Sequence, residues 1–271
     1  MRALWISRVT RGLNRNNPVA QLLSRAYGAG LNALYGETGI EWSTNGERLR
    51  IHPRLRGKIQ PLSECDLFAF LKAGIEPGHV IFDVGTFVGT YAVFEALWSG
   101  PSGRVVAFEP TAANWPWIQA HLKMNGVEHR VELIKAAAGE TSGLTRFHQH
   151  LTDSDQNSVF PLLTPAQSRV TEVPMVTLDE IADRLNLAPD WIRMDVQGFE
   201  LSVLRGARKI LARQGKPVRI VAEMHPLIWS LNGFDGQQVK EALGELGLAA
   251  KPIGPSTEEF PDGGHVELVR A

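Results

Sequence analysis

Five side chains able to do chemistry close short apolar runs. Asp83 ends "VIFD", Glu109 ends "VVAFE", Asp195 ends "WIRMD", and Glu223 and His225 end "VAEMH". Carboxylates accept hydrogen bonds from hydroxyls or coordinate cations, and imidazole moves protons near pH 7. If the apolar runs are strands of a parallel sheet, these groups gather at its carboxyl edge, where such sheets bind ligands. Each acid taken singly is also explained as a partner for the start of a following helix. Their common position is harder to explain that way. Asp195, Glu223 and His225 would suit a divalent metal if they met. However, parallel strand ends converge in any case and no spaced ligand motif is present, so no metal is assigned. Asp195 and His225 are the candidates for a general base acting on a weakly nucleophilic hydroxyl.

The first run leads into Gly85-Thr86-Phe87-Val88-Gly89. A dinucleotide site would require G-x-G-x-x-G, so that a pyrophosphate could approach the backbone. The central glycine is missing here. Glu109 lies 24 positions beyond Gly85 (109 − 85), where an acid can accept from both hydroxyls of a ribose. The pair suits a nucleoside that carries no phosphate, and S-adenosylmethionine has that shape. A nicotinamide-dependent oxidoreductase on a similar sheet is the rival enzyme class. A non-catalytic interaction protein that keeps the sheet is the other alternative.

These residues need elements to hold them. Strands are expected at 80–84, 104–109, 131–136, 191–195 and 217–223, alternating with helices at 90–99, 113–125, 200–213 and 236–246, and "HVELVRA" reads as a closing strand. That alternation implies an α/β fold with a parallel sheet covered on both faces. Residues 140–176 are polar and break the rhythm, predicting a hairpin plus a long loop of the kind that often carries function. Upstream, 39–53 reads as a hairpin turning at Asn45-Gly46 and 62–74 as a helix. The expected division is an accessory region over 1–59 and a catalytic domain over 60–271.

The 271 residues are 44% hydrophobic, with a formal net charge of −1. That balance asks for no nucleic-acid partner. A single cysteine, Cys65, excludes an internal disulfide and suits a cytoplasmic setting. No apolar run reaches the roughly 18–20 residues of a membrane span. Residues 1–36 carry five arginines and no acid, with apolar residues at helical spacing from Val19 to Tyr35. They read as a helix packed on the main domain or on a second copy in a homo-oligomer, as a peripheral contact for an anionic membrane or acidic partner, or as an organellar transit segment.

The stretches "FDVGTFVGTYAVFEAL", "VVAFEP", "VELIKAAAGE" and above all "IRMDVQGFELSVLRGA" resemble FkbM-like S-adenosylmethionine-dependent methyltransferases, over roughly residues 60–225. The resemblance implies the class I methyltransferase fold, a Rossmann-like doubly wound sheet of seven strands with the last antiparallel. It also implies methyl transfer to a hydroxyl of a sugar, glycan or secondary metabolite. It would place Asp83, Gly85, Thr86 and Gly89 in the cofactor turn, Glu109 on the ribose, Ala137 beside the adenine and Asp195 beside the sulfonium. Two positions depart from the family pattern: Phe87 replaces the usual asparagine, and Gln197 replaces the usual glutamate. Asn157 in the polar insertion, Glu200 at a helix start and Trp229 beyond His225 are the candidate contacts to a small-molecule or glycan acceptor.

Overall fold

In the computed structural model, residues 18–150, 157–161, 168–261 and 264–271 are described. The chain divides into two compact units, residues 1–61 and 62–271. The first holds helix α1 (Pro18–Tyr35) and the hairpin β1 (Ile40–Thr44) and β2 (Glu47–Ile51). Thr44 pairs with Glu47 across a two-residue turn. Both turn residues have positive φ, 48° at Asn45 and 82° at Gly46, which is the mirror-image turn that matches strand twist. The first 17 residues, and with them half of the basic segment, lie outside the described residues. Along α1, Leu22 and Leu34 are exposed.

The second unit starts with α2 (Cys65–Gly74), followed by β3 (Val80–Val84), α3 (Thr90–Trp98), β4 (Arg104–Phe108), α4 (Trp115–Met124) and β5 (Val131–Ile134). The polar insertion then supplies β6 (Ala137–Ala138), β7 (Gly143–His150) and β8 (Ser168–Val176). After it come α5 (Leu178–Leu185), β9 (Trp191–Met194), α6 (Glu200–Arg205), α7 (Arg208–Ala212) and β10 (Arg219–Met224). The chain ends with α8 (Pro226–Leu231), α9 (Gly236–Glu245), β11 (Leu248–Pro252) and β12 (Gly264–Arg270).

Seven strands form one sheet in the order β11-β12-β10-β9-β3-β4-β5. The pairings from β10 to β5 are parallel, and β12 runs antiparallel between β10 and β11. The order reverses between β3 and β9, so the chain ends at β3, β4 and β9 leave a crevice at the carboxyl edge. Phe82, Val106, Phe108, Ile192 and Ile220 fill one face of the sheet as a continuous core.

Several elements differ from the sequence expectation. The strand expected over 131–136 stops at Ile134, and Ala137–Ala138 joins β7 and β8 in a separate three-stranded sheet. The single helix expected over 200–213 is two. The break falls at Gly206, where a Cβ would lie 2.0 Å from the Gly139 carbonyl oxygen. Asp179 then caps the restarted helix, accepting from the backbone N–H of Lys209 at 2.8 Å and of Ile210 at 3.0 Å. Helix α5 was not expected, although Thr177 caps it by accepting from the Glu180 N–H at 3.0 Å. Strand β11 was also missed, because "LAAKP" lacks alternation.

Candidate functional site

The turn after β3 is built around a close approach. Gly85 has φ 83°, and a Cβ there would stand 1.9 Å from the Asp195 carbonyl oxygen at the end of β9. Only glycine lets the two strand ends come this near. Phe87 (φ 54°) and Gln197 (φ 52°) are also left-handed. The two departures from the family pattern therefore occupy positions where the backbone favours asparagine or glycine over bulkier residues.

A cavity of about 100 Å³ lies over this turn, walled by Gly85, Phe87, Glu109, Ala137, Asn157 and Asp195 among others. This is below the roughly 300–1,000 Å³ of a typical small-molecule site, so a whole nucleoside requires the cavity to widen. Ala136, Ala138, Phe108, Val196 and Phe199 supply apolar wall, and Glu109 and Asp195 supply two acids. No described residue of the wall is a lysine or arginine. A pyrophosphate would meet no cation there and two carboxylates. The charge and apolar character of the same wall suit a flat base carried on a ribose with a positively charged tail.

Glu109 is 5% exposed and accepts from the Thr111 N–H at 2.8 Å. Burial lifts its carboxyl to about 7, against the opposing pull of the Thr111 hydrogen bonds. Asn157 closes the wall from the insertion: it donates to the Thr111 hydroxyl at 3.0 Å and accepts from the His150 N–H at 2.7 Å. Ser158 donates to the Gln197 carbonyl at 2.8 Å.

Asp83, Thr86 and Gly89 are not in that wall. Asp83 is fully buried and accepts from Arg193 at 3.1 Å. Arg193 also lies 3.8 Å from the Asp195 carboxylate and stacks on Tyr91, its carbon 4.3 Å from the ring centre. Burial opposes the charge of Arg193, but Asp83 and Asp195 outweigh it and hold the guanidinium protonated. Glu95, also fully buried, is pushed upward by burial and by the charge of Asp83. Sequence reasoning passed over Arg193. Its signal was a cation inside the apolar run "WIRM".

A second cluster stands behind Asp195. His225 Nε2 is 3.8 Å from Asp195 and 3.7 Å from Glu223, and Nδ1 is 2.8 Å from Glu200. Glu200 is 1% exposed and also accepts from the Gly198 N–H at 2.9 Å and the Trp229 indole at 2.8 Å. Glu200 and Trp229, candidate acceptor contacts in the sequence, thus stand behind His225 with their polar atoms engaged. Burial works against a charged His225 ring, but the Glu200 hydrogen bond and the charges of Glu200, Asp195 and Glu223 lift it to about 9. At that value the ring holds a proton at pH 7, whereas the sequence offered it as a base. Glu223 rises to about 8 through burial and the neighbouring charge of Asp195.

Sheet order, antiparallel β12 and the crevice over β3 and β4 define the class I, S-adenosylmethionine-dependent methyltransferase fold. Residues 83–248 match the Methyltransferase FkbM domain. The chain belongs to that family, residues 83–248 are its methyltransferase domain, and S-adenosylmethionine is the cofactor. A curated relative, 31-O-demethyl-FK506 methyltransferase FkbM of Streptomyces tacrolimicus, is 29% identical over 58% of this chain and 70% of its own length. Among solved structures, methyltransferase FkbM of Methylobacillus flagellatus is 17% identical with a TM-score of 0.46, over 71% of this chain; this chain spans only 44% of that one. Fibrillarin of Aeropyrum pernix, solved with S-adenosylmethionine bound, is 17% identical with a TM-score of 0.47, over 87% of this chain and 83% of its own. Among the described residues, no helix is long and apolar enough to cross a membrane.

Proposed function

We propose that this chain transfers the methyl group to a hydroxyl oxygen of a sugar, glycan or secondary metabolite. The observation that carries this reading is the pairing of Glu109 and Asp195 as the two charged groups of one largely apolar wall at the switch point of the sheet. The relative named for acting on 31-O-demethyl-FK506 supports oxygen as the acceptor atom.

Bound S-adenosylmethionine supplies an electrophilic methyl on a sulfonium. Glu109 accepts from the ribose hydroxyls, and Ala137 and its neighbours pack the base. The two wall acids favour the cofactor's positive tail and disfavour phosphate. Asp195 orients the acceptor hydroxyl and takes its proton as the new carbon–oxygen bond forms. Gln197 donates to Asp195 at 3.0 Å and keeps that carboxylate aimed. Alignment of the reacting groups supplies much of the rate.

The test uses the full chain, isotopically labelled S-adenosylmethionine and a panel of glycosides, lipid-linked sugars and polyketide alcohols. A labelled methyl ether with stoichiometric demethylated cofactor supports the reading. Labelled N-methyl or C-methyl product would overturn the oxygen assignment. Tight cofactor binding without turnover on any hydroxyl would favour a non-catalytic protein.

A further inference from the structure

Of the clusters outside the cofactor cavity, the one at the ends of β9 and β10 has an unusual imbalance. His225 is 7% exposed, and its Nε2 makes no hydrogen bond. That nitrogen points between the Asp195 and Glu223 carboxylates, and one ligand atom from each of the three residues lies within 4.8 Å of the others. We propose that Asp195, Glu223 and His225 bind one divalent metal ion of mixed oxygen and nitrogen preference, of the Mn²⁺ or Zn²⁺ kind, beside the cofactor cavity.

The layer behind the ring supports this assignment. Glu200 lies 2.8 Å from Nδ1, and Gly198 and Trp229 fix Glu200 in turn. A carboxylate on Nδ1 places the proton there and aims the Nε2 lone pair outward, the arrangement found behind most metal-bound histidines. The Nε2 proton that His225 holds without an ion is released when an ion takes its place between the two carboxylate oxygens. The spacing admits one: bonds of about 2.1 Å in a tetrahedral site put ligand atoms about 3.4 Å apart. The observed 3.7 and 3.8 Å require only a small contraction. Two carboxylates and one neutral imidazole balance a charge of +2.

Other groups hold the ligands without competing for the ion. Arg193 lies on the far oxygen of Asp195, and Gln197 donates to its near one. His265 lies 3.8 Å from the second oxygen of Glu223. His265 Nε2 already meets Glu64 at 2.9 Å. Three protein ligands leave open positions, as in catalytic rather than structural metal sites. Asp195 belongs to both the cluster and the cavity wall. On the hydroxyl-methylation reading, the ion would coordinate the acceptor oxygen and make its proton easier to lose; Asp195, bound to the ion, would then orient that oxygen and water would take the proton in its place.

The test measures the ion directly. Chelator-stripped full chain is titrated with Mn²⁺ alone, by calorimetry and by electron paramagnetic resonance, with Zn²⁺ in parallel. One ion per chain is expected, bound at least about 10-fold more weakly in Glu223→Gln, in His225→Gln and in Glu200→Gln. Glu64→Gln should bind as the wild type does. Thermal melts and cofactor titration of each variant confirm that it is folded. No stoichiometric binding by the wild type, equal binding by folded His225→Gln, or loss only in Glu64→Gln would each overturn the proposal. Mn²⁺ binding in a chain that methylates no hydroxyl would uphold the ion site and reject the acceptor assignment.

Discussion

The affinity of this chain for S-adenosylmethionine should rise with pH, and Glu109 should be the cause. A carboxylate clasping a ribose diol must be ionised, yet burial holds Glu109 to about 7. If only the ionised form binds, the dissociation constant is multiplied by about 11 at pH 6, about 2 at pH 7 and close to 1 at pH 8. Binding should therefore tighten roughly 10-fold between pH 6 and pH 8, or about 1.4 kcal/mol. Calorimetry in buffers of different ionisation enthalpy should find roughly 0.9 proton released per cofactor at pH 6 and roughly 0.1 at pH 8. Without cofactor the sign is opposite. The raised carboxyl binds its proton more tightly folded than unfolded, so stability falls from about pH 4.5 to about 7 and then levels off, by on the order of 3 kcal/mol. Glu109→Gln should remove the binding trend and the Glu109 share of the stability trend, leaving the share of raised Glu223. It should also weaken binding at pH 8 by about 1.5–3 kcal/mol, the range for a hydrogen bond to a charged group. A wild type and a Glu109→Gln variant with the same pH dependence, or proton uptake on binding, would refute the assignment.

Gly85→Ala should cost about 2–5 kcal/mol, combining left-handed strain with overpacking against the Asp195 carbonyl, and should lose cofactor affinity. Urea unfolding and cofactor titration check this, and a stable variant that binds normally would contradict the close approach. Arg193→Met leaves Asp83 buried without its partner and should destabilise by about 3–5 kcal/mol; a denaturant midpoint unchanged from wild type would contradict that. Thr177→Ala removes only the cap of α5 and should lower stability by about 1 kcal/mol, with no change in m-value or cofactor affinity.

Much of the sheet was legible because buried parallel strands are short apolar runs, and "VIFDV", "RVVAF" and "WIRM" each stand out against polar flanks. Glu109 was legible for a positional reason: an acid closing the second strand can reach little besides the crevice. Glu200 and Trp229 were not, because their partners come from elements 25 and 29 residues apart in the chain. Thr177 with Glu180 was a readable helix start that the preceding polar stretch obscured. The split of 200–213 depends on a backbone approach from Gly139, which no local pattern reports. The strand-end groups divided between the cavity wall, the core beneath it and a cluster behind it because they end neighbouring strands at different heights: Asp83 pairs beside Ala107 and Arg193, two residues short of the level of Asp195.

The left-handed backbone at Phe87 and Gln197 also bears on how this chain can vary over generations. At Gly85 any added carbon meets a carbonyl, so drift there is closed. Phe87 and Gln197 face the cavity on backbone that asparagine, aspartate and glycine adopt with less strain. Exchanges at those two sites can recut the chamber while leaving the strands beneath in place. Divergence among descendants should collect there, and new acceptors should be gained by altering a rim more than by rebuilding a scaffold.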